Sequence, residues 1–559
     1  MPDVNEIADR YIDAWAALDP VGATGAGVPG HDAEMTDYSP DGIDARVMLS
    51  NSALAELAAA PRADDRDRIA ADVMTERLRV GIDQYAAGER WRDLRIIGSP
   101  VQSIRACFDL MAFDTREDWE TAATRMEHVP EGIAGFELTL REGMSRGVVA
   151  ARRQALACAQ QAATWGGEVE GPAPFFMDLA DKYGALEFDD APLGTRLEHA
   201  AQTATAAYGR LARFLREDYA PKAATRDPVG EERYVLFARA FLGMEPDVAE
   251  IYEWGWEELA RIEHAMREVG ERILPGVPLN EVIDHLEHAP ERIIDGVDAF
   301  QRWNQGLIDR TIAELDGKQF DIAPPLHRCE AMIAPPGGAA AMYYTGPSED
   351  FSRPGRTWYP TLGKTRFPLW REVSICYHEA VPGHHLQVGQ TRYLADQLTR
   401  FQRIHGFVSG HGEGWALYAE RLMGELGYLD DPAFELGMLS AQAMRAVRVV
   451  VDIGMHLELP IPSHERYHPG ERWTPELALP FVIERSMFPP DFMRSEVDRY
   501  LGWPGQAISY KVGERVWLQA RADARARHGS NFDLKQFHMY ALNLGGMGLE
   551  PLRAELARF

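Results

Sequence analysis

Between residues 247 and 269, apolar side chains fall on Ile251, Leu259, Ile262, Met266 and Val269, with Gly255 in the same register. Steps of three and four place all of them on one stripe of an α-helix, which a strand with its period of two could not do. Asp247, behind Pro246, is positioned to cap that helix. The same period returns over residues 6–18, 66–86, 116–163, 193–214 and 290–315. Turns are marked at Gly166-Gly167, Gly171-Pro172, Asp227-Pro228 and Gly276-Val277-Pro278, and no repeat of fixed length runs through the stretch. A chain patterned this way for its first 320 residues folds as a mainly α protein.

The pattern changes at Asp321. Up to Pro368 the chain is poor in helix formers and rich in Pro, Gly, Thr and Tyr. Residues 330–334 and 340–344, joined by Pro335-Pro336-Gly337-Gly338, read as two short strands. Such a sheet could offer an edge to an extended peptide, with Tyr343 and Tyr344 as substrate contacts, or it could be a loop-rich cap over the helices. The expected plan is one helical domain over 1–559: a helical half at 1–320, a small sheet and loops at 321–368, and a second helical half at 369–559.

Charge narrows the partners. Lys and Arg number 58 against 86 Asp and Glu, a net charge of −28 that disfavours nucleic acid and anionic membrane surfaces. Cys107, Cys158, Cys329 and Cys376 are far apart and form no C-x-x-C pair, which argues against a disulfide framework or a zinc ribbon. The first residues are acidic where a signal peptide is basic, and no run of about twenty apolar residues occurs. A cytoplasmic protein without a membrane span is the expectation.

Chemistry concentrates in residues 377–390, Y-H-E-A-V-P-G-H-H-L-Q-V-G-Q. In the zincin motif H-E-x-x-H, two histidines one helical turn apart hold a metal, and the glutamate between them takes a proton from the attacking water. His378-Glu379 opens that way, but Pro382 stands in the fifth position and the next imidazoles are His384 and His385. On an unbroken helix His384 would point about 120° away from His378, and His385 would stand roughly 10.5 Å further along. Pro382 has no N–H for the His378 carbonyl, and Gly383 supplies freedom to bulge. If the two loop out as an insertion, His384 takes the place of the second zincin histidine. His385 is the alternative ligand.

The string H-E-x-x-P-G-H, followed by E-G-W-A-x-Y-x-E from Glu413 and by W-P-G-Q-A-x-x-Y-K from Trp503, resembles the bacterial family catalogued as domain of unknown function 885. The resemblance runs from about Arg328 onward, with weaker echoes before it. It implies a large helical zincin-like metallopeptidase fold with a deep central cleft and a small β-sheet at its wall. That fold is similar to the thermostable (Taq-type) carboxypeptidases and, more distantly, to angiotensin-converting enzyme.

A third metal ligand must come from another element. Glu413 lies 35 residues after His378 between Gly412 and Gly414, small neighbours that would let it approach a metal; Glu420, two turns on, is its rival. A glutamate at that separation on the next helix is the arrangement of the glutamate-type zincins. Two His and one Glu leave a fourth position open on a catalytic zinc, and the resemblance makes Glu379 the general base.

Two later stretches add candidates. Residues 436–457 are apolar almost all round yet carry Arg445, Arg448, Asp452 and His456, whose spacing of four would pair Arg448 with Asp452 and Asp452 with His456. That ladder could orient a ligating imidazole or be a buried ion network; the resemblance implies an active-site role for His456. Tyr510 is the candidate oxyanion donor, placed late in the chain as in the related peptidases, with a Tyr packed in the core as the alternative. Arg499 and Lys511 are candidates to grip a substrate carboxylate. Three functions are the expectations: a zinc-dependent peptidase of carboxypeptidase-like type; a metal-dependent hydrolase of small non-peptide amides or esters; or a non-catalytic peptide- or metabolite-binding protein on a peptidase scaffold.

Overall fold

A computed structural model describes residues 2–171, 173–186, 190–334 and 341–559, and helices dominate them. The chain forms two compact units where one domain was expected, and the boundary anticipated near residue 320 falls inside the second.

The first unit comprises Met1–Pro61, Leu78–Pro228 and Leu501–Trp503. At its centre runs helix Ala191–Arg213, which buries Leu193, Leu197, Ala200, Ala201, Ala204, Ala207 and Leu211. The small alanine stripe lets Arg116–Glu127, Val129–Ser145, Arg152–Trp165 and Phe175–Gly184 pack closely around it. The helix expected over 116–163 is therefore three helices. Pro130, which lacks an N–H for a continuing ladder, opens the second, and Gly147 follows it at φ +69°. Buried Arg125 ties in the N-terminal segment by donating to the carbonyls of Glu34 (2.9 Å) and His31 (2.7 Å) and to the Thr24 hydroxyl (2.8 Å).

The second unit comprises Arg62–Arg77, Val229–Tyr500 and Pro504–Phe559. Its longest helices, Val248–Ile273 and Pro432–Leu457, pack along each other, with the expected apolar stripe of the first buried. Helix Ser409–Glu425 crosses helix Ser509–His528 with glycine on both sides: a Cβ on Gly414 would lie 2.4 Å from the Gly513 carbonyl carbon, and one on Gly513 would lie 1.9 Å from the Gly410 oxygen. The backbones touch directly.

Two small sheets complete the unit. β1 (Ile293–Asp295) pairs antiparallel with β5 (Arg366–Pro368), so the stretch expected as helix over 290–315 opens with a single 3-10 turn, Pro290–Arg292, and this short strand before helix Val297–Leu315. β2 (Cys329–Ile333), β3 (Tyr343–Thr345) and β4 (Gly355–Tyr359) form a sheet in the order β2-β4-β3, with β2 and β4 parallel. The two anticipated strands are thus not neighbours, because β4 lies between them; residues 335–340 of the anticipated hairpin lie outside the described residues. The outer edge of β2 is covered by glutamine side chains. Gln305 accepts from Ala331 N–H and donates to the Cys329 carbonyl, and Gln301 donates to the Ala331 carbonyl. No helix of the described residues is long and apolar enough to cross a membrane.

Candidate metal centre

Helix Glu372–Glu379 ends one residue after His378, and a new helix, His384–Tyr393, starts at the next imidazole. Gly383 N–H bonds the Tyr377 carbonyl, six residues back, and His385 N–H bonds the Ala380 carbonyl, five back, so the break inserts two residues into the helical ladder. The Val381–Pro382 peptide is cis. Only glycine fits at 383, since a Cβ there would lie 1.9 Å from the His378 oxygen. The turn is pinned from the neighbouring helix: the Trp415 indole N–H donates to the Pro382 carbonyl at 2.8 Å, and Trp415 lies two residues after Glu413. One tryptophan therefore links the turn that spaces the histidines to the helix that carries the third group.

This arrangement brings His378, His384 and Glu413 together, with one candidate ligand atom from each within 4.8 Å of the others. The His378 and His384 Nε2 atoms lie 3.4 and 3.3 Å from Glu413 Oε2, and the two rings stand perpendicular, 4.9 Å apart. A tetrahedral site with metal–ligand distances of about 2.0–2.1 Å has edges of about 3.3–3.4 Å, so the residues fit a zinc-sized ion. The ring of His378 is oriented for it. Its Nδ1–H donates to Glu420 at 2.8 Å, and Glu420 in turn accepts from the Ser374 hydroxyl. Nε2 is thereby turned toward Glu413.

Charge at the site is held by opposition. Burial works against a charged His378, yet Glu413 and Glu420 on its two nitrogens hold its pKa up at about 9: this imidazole is a place for a positive charge. Burial also opposes ionisation of Glu413, and His384 and His378 outweigh it. Glu379, 6% exposed, is pushed above the usual carboxylate range by burial, against the pull of His378 and His384. Tyr510 stacks on the His378 ring at 6.5 Å; burial and the Glu413 charge raise its pKa, so the phenol keeps its proton. No protein group among the described residues hydrogen-bonds its hydroxyl.

The remaining candidates fall elsewhere. His385 is fully buried and faces away from the cluster, donating Nε2–H to the Leu326 carbonyl (2.9 Å) while Tyr344 OH bonds Nδ1 (2.9 Å). The alternative ligand is excluded by those two bonds, and the hydroxyl of Tyr344 is committed by one of them. Tyr343, its neighbour on the strand, stacks on Trp358. His456 is buried against Tyr234 and bonds the Tyr500 carbonyl (3.1 Å), eleven residues, or about 16 Å of helix, beyond Arg445. It is not at the centre. Arg499 forks onto Glu496 (3.0 and 2.7 Å), and Lys511 is enclosed by Glu258 (2.7 Å), Gln442 (2.7 Å) and Glu514. Neither is available as the expected grip on a substrate. The anticipated pairing of Arg448 with Asp452 is replaced: Arg448 pairs with Glu496 (2.7 Å), and Asp452 accepts from Tyr234 OH (2.7 Å) and Gly505 N–H (2.9 Å).

Glu420, the rival third ligand, instead orients His378. The glycines flanking Glu413 also serve other ends than metal access, Gly414 at the helix crossing and Gly412 against the Phe407 ring, 2.3 Å from where its Cβ would stand. Ser374 was not among the residues the motifs single out, while Trp415, within E-G-W-A, and Arg445, on the charged helix 436–457, were named without the contacts they make here. Ser374 lies four before His378 and Glu420 seven after Glu413, spacings that put each on the same helical face as a member of the cluster.

No curated protein matches the chain. Among solved structures, one from Colwellia psychrerythraea described as a "putative lipoprotein" is 23% identical with a TM-score of 0.85, covering 100% of this chain and 99% of that one. Another from Shewanella oneidensis, described as a "putative lipoprotein of unknown function", is 17% identical with a TM-score of 0.71 and covers 99% of each chain. These likenesses show the fold. A family model described as bacterial protein of unknown function (DUF885) matches residues 20–556, and the chain belongs to that family.

Proposed function

We propose that the chain is a zinc-dependent metallopeptidase with a helical zincin-like fold, hydrolysing a peptide or small amide substrate. The observation that carries this reading is the convergence of His378, His384 and Glu413 within 4.8 Å, with Glu379 next in sequence to the first of them. Zinc held there supplies Lewis acidity toward water and the amide carbonyl. Glu379 takes the proton of the attacking water and passes it to the leaving amine; its raised pKa suits both halves of that transfer. Tyr510, protonated and with its hydroxyl unengaged, donates a hydrogen bond to the oxyanion as the carbonyl becomes tetrahedral. Glu420 holds His378 in one tautomer throughout. A cytoplasmic setting is supported by four cysteines that are all buried and unpaired.

The test starts with elemental analysis of the purified wild type, His384→Ala and His385→Ala, each offered zinc. One zinc per chain, lost from the first variant and retained by the second, is the expected result. The zinc-loaded wild type should then cleave members of a peptide library, and Glu379→Gln should bind zinc but cleave none. A wild type that takes up no transition metal sinks the proposal.

A further inference from the structure

Arg445 and Arg448 have more donors than partners. They lie three residues apart on helix Pro432–Leu457, one turn from each other, and are 7% and 4% exposed. Arg448 gives Nε to the Tyr500 hydroxyl (3.0 Å) and Nη2 to Glu496 (2.7 Å), but its buried Nη1 has no partner. Arg445 approaches Glu420 only to 3.7 Å, and its buried Nε has no partner either. Both guanidiniums lie over the Tyr510 ring, at 5.7 and 4.6 Å from its centroid, and that ring stacks on His378. A single aromatic ring separates them from the metal centre.

The nearby carboxylates are already committed. Glu496 accepts from Arg448, Arg499 and Tyr500, and Glu420 accepts from His378 and Ser374. Three arginines thus share one carboxylate of their own and the distant edge of a second. A buried guanidinium with unmet donors is costly, and an incoming carboxylate, planar and anionic, matches its fork. Lys511 and Arg499 offer no such opening, since their donors are taken.

We infer that Arg445 and Arg448 form a carboxylate-binding subsite beside the metal centre, which selects substrates carrying an acid group close to the scissile amide. The substrate class rests on the hydrolase reading above; the subsite itself does not. The acid is the terminal carboxylate of a peptide or an acidic side chain, and the two are told apart in the test.

The test measures binding by calorimetry to zinc-loaded Glu379→Gln protein, so that nothing is turned over. The probes are N-benzoylglycine, its neutral amide, and N-benzoylaspartic acid α-amide, which carries only a side-chain acid. At least one acid should bind ten times more tightly than the neutral amide or better; which acid it is identifies the source. Adding Arg445→Gln, whose contacts are few enough to leave the fold intact, should erase the preference while leaving affinity for the neutral amide unchanged. Arg448→Lys, which keeps the charge opposite Glu496 but loses the fork, should reduce it. Equal binding of acids and amide, or a preference that survives Arg445→Gln, overturns the inference. An acid preference that depends on Arg445 in a protein that cleaves no peptide or amide leaves the subsite standing and ends the hydrolase reading.

Discussion

At the scale of single residues, His378 is defined by what holds its far side. With Nδ1–H on Glu420, the ring can rotate neither away from Glu413 nor into the other tautomer. On the proposed zinc reading, Glu420→Ala should lower zinc affinity by about 10–100-fold without removing any of the three proposed ligands; competition against a chromophoric chelator measures it, and unchanged affinity would show that Glu420 orients nothing. The three clustered groups were legible in the sequence because the departure from H-E-x-x-H is itself informative: a proline and a glycine are what a two-residue insertion into a helix requires. The role of Glu420 was not legible. Spacing placed it on the face of Glu413, but that it meets the Nδ1 side of His378 depends on the packing of a second helix, whose Ser374 holds its other oxygen. Arg448 misled for a similar reason. A partner four residues away on its own helix was displaced by Glu496, 48 residues on, whose geometry no local period describes.

At the scale of elements, helix existence followed from periodicity and helix length did not. The 116–163 stretch keeps its apolar period across two breaks, because Pro130 and Gly147 interrupt the backbone without interrupting the stripe. Strand order was beyond reach: β2, β3 and β4 have three to five residues each, too few for alternation to say which pairs with which. The crossing of Ser409–Glu425 over Ser509–His528 makes its own demand. Gly513→Ala would drive a methyl group against the Gly410 carbonyl, a backbone atom that cannot swing aside, and should destabilise the fold by about 1–3 kcal/mol. Urea unfolding measures the loss; a variant as stable as the wild type would mean that the helices separate at little cost.

At the scale of the molecule, the mainly helical fold was evident from period alone, while its division into two units was not, since both units carry the same kind of amphipathic helix and no linker composition marks the boundary. Stability of the whole also has a buried acid to accommodate. Burial, against bonds from Tyr234 and Gly505 and the charge of Arg499, raises Asp452 to about 7, with His456 Nε2 3.7 Å from its other oxygen. A carboxyl that keeps its proton in the fold but loses it near pH 4 when unfolded favours the fold fully below pH 4. Its contribution then falls as pH rises to about 7, by up to about 1.4 kcal/mol per pH unit. Asp452→Asn should flatten the change in urea midpoint between pH 5 and pH 7, and a slope identical to wild type would assign it to other groups. The glycine crossing has a further consequence, in the way a family of such chains can diverge. Because Glu413 and Tyr510 ride on two backbones that touch with no side chain between them, their separation belongs to the main chain. The substitutions by which cores ordinarily drift have nothing to act on at that joint, so the neighbouring surfaces can be rewritten generation after generation while the span between these two groups stays as it was.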